Sequence, residues 1–413
     1  MWTEIIELQG QLIDAYILPR VLDEIVRSGG DFELERMEFG KRQEDPSHAV
    51  LRVMAPSQSA MEAIIRSVRR LGAQVDDEGD AALSSADCDG AFPEDFYATT
   101  NLKTWVRSQG EWLEAEDIEM DCGIVVERTP DRHLARCIPM HRVRKGQLVV
   151  VGHRGVRVEP LERPKERELF QFMSSTVSSE KPKLTIIRDI ANRMLECREK
   201  GEKVLLVGGP AIIHTGAGPV LERIIHRGLL HVLFAGNALA AHDIEAAMFG
   251  TSLGVALERG MPVRHGHQNH LRAINRIRRL GGIAQAVEKG VLTRGVMHAC
   301  IQRGVEMVLA GSIRDDGPLP DVITDSLEAQ EAMRRCLPGV GMALLVATTL
   351  HSVAAGNLLP AHVLTVCVDI NASTVTKLMD RGTFQAAGVV MDAESFLREM
   401  ETCLGPGDVR HEK

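Results

Sequence analysis

The sequence predicts an α/β chain whose C-terminal half is a doubly wound parallel sheet, preceded by a small α+β domain and a β-rich middle unit. Three observations carry this reading. In the last part of the chain, short apolar runs ending in Gly or Asp alternate with helical stretches. Lys203–Val207 runs into Gly208-Gly209-Pro210, His231–Phe234 into Gly236-Asn237-Ala238, and Met307–Ala310 into Gly311-Ser312. Ala343–Ala347 runs into Thr348-Thr349, and Leu364–Val368 into Asp369. An apolar run that stops at such a residue and feeds a helix is one half of a parallel βαβ unit, and in such sheets ligands collect at the carboxyl ends of the strands.

The second observation is the order strand, helix, strand, strand, helix near the N-terminus: Ile5–Gln9, Pro19–Arg27, Asp31–Phe39, Ala49–Met54 and Ala60–Leu71. Alternation marks the strands, and apolar spacing of three and four marks the helices. That order suggests a ferredoxin-like domain over residues 1–90, with the acidic, small-residue stretch Asp76–Gly90 read as a loop. The third is a set of short β-like runs, Thr104–Val106, Gly123–Val126 and Leu148–Val151, between charged turns. They predict a β-rich subdomain over residues 91–183, whose polar tail Ser174–Lys183 reads as a linker into the helix Ile186–Glu199. Residues 184–413 then form the Rossmann-like domain.

Composition limits the function. The chain has 413 residues with 44% hydrophobic and 25% charged side chains, the balance of a globular protein rather than a disordered or fibrous one. Its 57 acidic and 48 basic residues leave a formal charge of −9, the wrong field for nucleic acid. The densest basic stretch, Arg272–Arg279, reads as a solvated helix face. Aromatics make up only 4%, so base-stacking platforms are not expected. No apolar run reaches the roughly 20 residues that span a bilayer. The eight cysteines are scattered without a CxxC pair or a signal-peptide pattern, which points to a reducing cytoplasm.

Several segments could carry chemistry. After the run Val204–Val207, Gly208-Gly209-Pro210 and Thr215-Gly216-Ala217-Gly218 could turn bare backbone amides toward a phosphate, although the spacing is not GxGxxG. A tight packing turn explains those glycines as well. Asp369, at the end of an apolar run, could accept hydrogen bonds from ribose hydroxyls, favouring NAD over NADP, or could cap the helix Ser373–Met379. Gly311–Asp321 combines Arg314 with Asp315, Asp316 and Asp321 in a Gly/Pro-bounded loop. There an arginine could grip a carboxylate and an aspartate could move a proton. The function of this loop outweighs a merely solvated turn. His265, His267 and His270 match no metal-ligand spacing and read as polar loop histidines, so no metal is expected. His351, near a strand end, is the better group for proton transfer. In the N-terminal half, Phe92–Asn101 and Glu119–Cys122 hold possible substrate contacts, and Cys122 reads as a buried structural thiol.

Taken together, Leu8–Asp14, Glu119–Cys122, Ala235–Glu245, Gly250–Gly254, Ala310–Asp325 and Val366–Asn371 resemble the NAD-dependent ornithine cyclodeaminases of archaea, which also form the C-terminal part of cyanobacterial arginine dihydrolase/ornithine cyclodeaminases. The N-terminal domain resembles a region shared with lysine-ketoglutarate reductase/saccharopine dehydrogenase. This chain starts at that domain, so arginine dihydrolase activity is not implied. The resemblance covers Glu7 to Phe396 and implies NAD as cofactor. It places Asn237 and Ala238 against the cofactor, Asp316 beside it, Thr348, Thr349, Leu350 and His351 along its phosphate or nicotinamide side, and Asp369 on the ribose. Met391 and Asp392 fall near the adenine.

The implied reaction converts L-ornithine to L-proline and ammonia. Hydride leaves Cα to NAD+, the δ-amine attacks the resulting imine, ammonia departs, and the same hydride returns. Asp315, Asp316 and His351 are the candidate acid and base, with no assignment among them, and Arg314 the candidate for the substrate carboxylate. A homo-oligomer without nucleic-acid or membrane partners is expected. Two other readings stand: a net oxidoreductase acting on lysine or saccharopine, which would accumulate NADH, and a non-catalytic NAD or amino-acid sensor.

Overall fold

The computed structural model describes residues 2–10, 12, 17–40, 45, 47–69, 71–75, 79–129, 132–159, 183–257, 261, 266–315, 317–380 and 386–405. The chain divides into two compact units, residues 1–168 with 357–362 and residues 169–356 with 363–413.

The first unit opens with β1 (Trp2–Gly10), α1 (Ile17–Arg27), β2 (Asp31–Glu38), β3 (Ser47–Ala55), α2 (Gln58–Arg69) and β4 (Gln74–Val75). Its sheet runs β2-β3-β1-β4 with every pair antiparallel. This is the split βαβ arrangement of the ferredoxin-like fold, as the sequence predicts. Alternation builds the core, because Ala49, Leu51, Val53 and Ala55 turn one face of β3 inward against Val21 and Ile25 of α1 and Ile64 and Val68 of α2.

A second sheet follows, made of β5 (Ala82–Ser85), β6 (Thr104–Ser108), β7 (Glu111–Glu116), β8 (Gly123–Thr129), β9 (Arg132–Ile138), β10 (Leu148–Val151) and β11 (Val156–Val158) in the order β11-β6-β7-β9-β8-β10-β5. Within Asp76–Gly90, read as a loop, Ala82–Ser85 instead pairs antiparallel with β10, while residues 76–78 lie outside the described residues. The segment Ala-Leu-Ser-Ser has almost no hydrophobic alternation. Its place in the sheet comes from the hydrogen bonds of β10, which propensity cannot foresee. The proposed linker Ser174–Lys183 lies outside the described residues except for Lys183, where a helix starts.

The second unit contains α3 (Lys183–Lys200), β12 (Lys203–Gly208), α4 (Ala211–His214), α5 (Gly218–His226), β13 (Val232–Gly236), α6 (Asn237–Phe249), the hairpin β14 (Thr251–Ser252) and β15 (Val255–Ala256), α7 (Asn269–Leu280), α8 (Ile283–Glu288), α9 (Val296–Arg303), β16 (Glu306–Ala310), β17 (Val322–Ile323), α10 (Ser326–Cys336), β18 (Val340–Val346), α11 (Leu350–Leu358), β19 (Leu364–Asp369), α12 (Ala372–Asp380), β20 (Ala386–Val390) and α13 (Ala393–Cys403). The seven-stranded sheet runs β17-β16-β13-β12-β18-β19-β20 and is parallel throughout. All seven residues of β18 are buried, as a strand covered on both faces requires. The five predicted junctions fall at five of the strand ends. The two edge strands were missed, since β17 has only two residues and β20 is Ala-Ala-Gly-Val-Val.

The arginine-rich stretch lies on α7, which buries Ala273, Ile274 and Ile277 and leaves Arg272, Arg276, Arg278 and Arg279 exposed, the solvated face expected from its spacing. Between α6 and α9 there is a charged tie. Asp243 of α6 is 3% exposed, and its carboxylate accepts the backbone N–H groups of Val296 and Met297 at 2.9 and 2.8 Å. The first turn of α9 therefore finds its missing acceptors on another helix. Gly295 takes φ 101°, and a Cβ there would stand 2.9 Å from that carboxylate.

Burial pushes the Asp243 carboxyl up to about 7, against the opposing pull of the two backbone N–H groups. A carboxyl with a folded-state pKa above its unfolded value favours folding most below the unfolded pKa, and this contribution is lost as pH rises through the folded pKa. Urea unfolding of the wild type should therefore show an Asp243-dependent loss of stability between about pH 4 and pH 7 that Asp243→Asn abolishes. Identical pH profiles for the two proteins would show that the group does not titrate in this window.

Candidate active site

The strand order reverses direction between β12 and β18, so their carboxyl ends bound the crevice where open α/β sheets hold ligands. The chain closes this edge tightly. Gly209 N donates to Val346 O at 2.9 Å, and a Cβ on Gly209 would come within 1.8 Å of Ala347 O. A Cβ on Gly208 would meet Leu239 at 2.9 Å. Close packing therefore accounts for the glycine pair, and it also leaves Gly208 and Gly209 as bare backbone at the turn. Ala347, just past β18, has φ 54°, a left-handed conformation rare for a residue with a Cβ.

His351 follows at the start of α11. Its ring reaches the end of β13, where a Cβ on Gly236 would stand 3.0 Å from His351 Cε1. Burial holds the His351 imidazole below its usual pKa, with Asp315 opposing. The structure thus brings together His351, Gly236 and Asp315 from three loops. Thr348 accepts the Ser352 hydroxyl on its carbonyl at 2.6 Å, and Thr349 and Leu350 are exposed. The helix that starts at Asn237 has no side-chain cap at Gly236, which leaves its first N–H groups at the strand edge. Asn237 Oδ1 accepts Leu319 N at 3.0 Å and pins the Gly311–Asp321 loop to this helix start, and Ala238 follows it.

The carboxylates of that loop separate by role. Both oxygens of Asp321 accept Ile283 N at 3.1 and 3.0 Å, capping α8, and burial raises its pKa. Asp315 accepts Ser312 N at 2.8 Å within the loop, and Arg314 is exposed beside it. Asp316 lies outside the described residues. At the end of β19, Asp369 Oδ1 accepts Asn371 N at 2.8 Å, and Asn371 rather than Asp369 caps α12 through Ser373 N. The Asp369 carbonyl accepts Met391 N at 3.1 Å. Asp392 caps α13, and its bonds to the Ser395 hydroxyl and backbone N–H hold its carboxyl below the usual range. Ile313, Leu350 and Ile370, each just after a strand end, are 108%, 77% and 75% exposed. Apolar side chains left open at a ligand-collecting edge suit a flat ring.

A second polar group, built from α4, α6, α7 and β14, was passed over in the sequence. Glu245 is fully buried. One carboxylate oxygen accepts the Thr251 hydroxyl at 2.8 Å and Gly254 N at 3.2 Å, and the other lies 2.8 Å from His242 Nδ1. Burial opposes ionisation of Glu245, but the bonds from His242, Thr251 and Gly254 outweigh it and lower the pKa. The His214 ring stands edge-on to His242 at 4.6 Å, and its Nδ1 lies 2.7 Å from Ser252 Oγ. Burial and the neighbouring His242 push His214 down to about 4. Asn269 donates to Thr251 at 2.9 Å, and the His270 ring lies 5.9 Å from His242. Among the three histidines read as loop residues, His270 thus sits on a helix beside this group; His265 and the side chain of His267 lie outside the described residues. The available sequence signal was His-x-x-Glu one helical turn past a strand-end Gly-Asn.

In the first unit, Cys122 is 3% exposed and donates to Glu119 Oε1 at 3.0 Å. The neighbouring Cys137, burial and Glu119 raise the Cys122 thiol, which fits a structural thiol. Asn101 is 1% exposed, and neither side-chain amide atom has a hydrogen-bond partner among the described residues.

An all-parallel sheet with a paired-glycine turn at its reversal point, an uncapped helix start and an acid ending β19 defines an α/β protein of the dinucleotide-binding class. The chain belongs to the family described as arginine dihydrolase ArgZ-like, C-terminal, Rossmann fold, which matches residues 188–400, and its first region matches residues 103–187. Residues 3–102 match the LOR/SDH bifunctional enzyme conserved region. The chain is similar to the ornithine cyclodeaminase of Methanothermobacter thermautotrophicus, 51% identical over 413 residues, covering 99% of this chain and 100% of the relative. The crystal structure of apo ArgZ, an arginine dihydrolase from the ornithine-ammonia cycle in cyanobacteria, aligns with TM-score 0.84 and 36% identity over 98% of this chain and 58% of that one. The ternary complex of AgrE with ornithine and NAD+ aligns with TM-score 0.53 and 41% identity over 98% and 57%. The chain thus spans somewhat over half of these two longer proteins, and the family is the one its motifs resemble.

Gly209→Ala should lower the stability of the C-terminal unit by about 1–3 kcal/mol, because the methyl must displace the backbone that closes the crevice. A urea midpoint equal to wild type would contradict the close approach.

Proposed function

We propose that this protein is an NAD-dependent ornithine cyclodeaminase, converting L-ornithine to L-proline and ammonia. The observation that carries the reading is the strand-edge crevice, in a chain similar to an ornithine cyclodeaminase along its whole length. NAD fits this edge by the chemistry of its donors and acceptors: free N–H groups at an uncapped helix start suit a pyrophosphate, and a strand-end carboxylate suits ribose hydroxyls. Bound there, the cofactor supplies a hydride acceptor for the substrate Cα and the store from which the same hydride returns.

The residues divide the remaining work. Asn237 and Ala238 contact the cofactor, the segment Thr348, Thr349, Leu350 and His351 lines its phosphate or nicotinamide side, and Asp316 is a further cofactor contact implied by the family. Asp369 holds the ribose, where a carboxylate disfavours a 2′-phosphate, and Met391 and Asp392 lie toward the adenine. Arg314 binds the substrate carboxylate in the fork geometry of a guanidinium. Asp315, Asp316 and His351 are the proton-transferring groups of the strand-end loops. A neutral imidazole can accept an amine proton, and the lowered pKa of His351 keeps it neutral at physiological pH. A cytoplasmic location is proposed from the scattered cysteines, all eight of which are free thiols; among the described residues no helix is long and apolar enough to cross a membrane. The proposed assembly is a homo-oligomer.

Incubation with NAD+ and L-ornithine should yield proline and ammonia in equal amounts, without accumulation of NADH. Steady NADH release would favour the lysine or saccharopine oxidoreductase reading, and tight NAD+ binding without ammonia from any diamino acid would favour a sensor. Asp369→Ala should weaken NAD+ binding by roughly ten- to a hundredfold in equilibrium dialysis, the range for losing a charge-assisted hydrogen bond. Arg314→Ala should raise the ornithine KM, and an unchanged KM would remove the assigned role.

A further inference from the structure

Five of the buried polar side chains of this protein, His242, Glu245, Thr251, Ser252 and Asn269, gather in one place, joined by the half-buried His214 and His270. The cofactor reading uses none of them. Buried polar groups are costly unless satisfied, and a hairpin tie alone would need less. One oxygen of Glu245 already holds Thr251 and Gly254; the other is committed to His242. Glu245, acceptor-only when ionised, accepts a hydrogen bond from His242 Nδ1–H, which selects the tautomer whose Nε2 carries the lone pair.

The group lies on the helices that leave the crevice edge. α4 and α6 follow directly from the ends of the adjacent strands β12 and β13. Ala238, His242 and Glu245, at spacings of four and three, share one face of α6. Four residues of helix separate Ala238 from His242 by about 6 Å along the axis. An extended diamino acid of five carbons places its two nitrogens a similar distance apart, roughly 6 Å on standard bond lengths. The neighbouring His214 adds no positive charge at neutral pH, since burial holds it at about 4.

Resting on the cyclodeaminase reading, we propose that His242, oriented by Glu245, is a further catalytic residue that moves the proton at the distal amine of the substrate. Once Cα is oxidised to the imine, His242 Nε2 takes a proton from the δ-ammonium, and the freed δ-nitrogen forms its bond to Cα. That bond forms on the protonated imine and leaves the δ-nitrogen with two protons, of which it releases one to water. The imidazolium gives its proton to the α-nitrogen, and ammonia leaves as the α-nitrogen's bond to Cα breaks. His242 ends neutral, and the cyclic imine receives the hydride from the cofactor of the proposed function. Glu245 is a positioning residue, as it touches His242 and not the substrate.

Two variants test this against wild type, with proline and ammonia measured alongside NAD+ binding. His242→Asn should lower kcat by roughly 10²–10⁴ with NAD+ binding unchanged, and added imidazole should restore part of the rate. Glu245→Gln keeps an oxygen for Thr251 and Gly254 N, but its amide must then donate to His242 Nδ1, which puts the ring proton on Nε2. Its kcat should fall by a similar factor while the ornithine KM and NAD+ binding stay near wild type. A kcat within twofold of wild type in either variant overturns the proposal. So does a loss of rate that imidazole does not relieve and that comes with weakened NAD+ binding, since that marks a structural role. A wild-type protein that makes no proline from ornithine removes the function reading and this proposal with it, whereas active wild type beside equally active variants removes the proposal alone.

Discussion

The C-terminal unit is organised around one backbone contact, the approach of Gly209 to Val346 and Ala347 where the sheet reverses its strand order. With no Cβ at Gly209, the ends of β12 and β18 meet backbone to backbone. Ala347 absorbs the turn by adopting φ 54°, which sends the chain into α11. His351 then reaches over to Gly236, and Gly236 in turn leaves the start of α6 uncapped. The contact that closes the sheet therefore also sets the positions of the groups proposed to meet the cofactor.

α6 links this edge to the rest of the unit through successive carboxylates that do different work. Asp243 serves the backbone of α9, and its burial makes the neutral acid competitive with the carboxylate. Glu245, equally buried, is surrounded by donors and stays ionised. Two residues apart on a helix, they point to different sides, so one stabilises packing while the other can orient an imidazole. Local hydrogen-bonding partners, more than burial, separate the two.

Much of the fold was legible because it rests on local periodicity. The buried strands β12, β13, β16, β18 and β19 are continuous apolar runs ending in Gly, Ala, Val or Asp, and the ferredoxin-like domain follows from alternation and helical spacing. Among the strands not foreseen, β5, β17 and β20 are short or built from small residues at sheet edges, where pairing is decided by the neighbour, and β7 and β9 carry charged residues that hide their alternation. The strand-end positions of Asn237, His351 and Asp369 were legible because the apolar runs before them mark the strands. Their individual bonds were not: Asp321 and Asp392 are helix caps, and Asn371 takes the capping role that Asp369 could have had. The His214, His242 and Glu245 group escaped for another reason. Its members lie 28 and 3 residues apart along the chain, and only the packing of α4 and β14 on α6 brings them together.

The central claim is that hydride leaves and returns to one carbon within a single binding event. Turnover of L-ornithine deuterated at Cα, followed by mass spectrometry of the proline formed in unlabelled water with unlabelled NAD+, tests it directly. The account predicts that proline keeps the deuterium at Cα and that the NAD+ pool stays unlabelled. Proline without deuterium, or label appearing in free NADH, would contradict it.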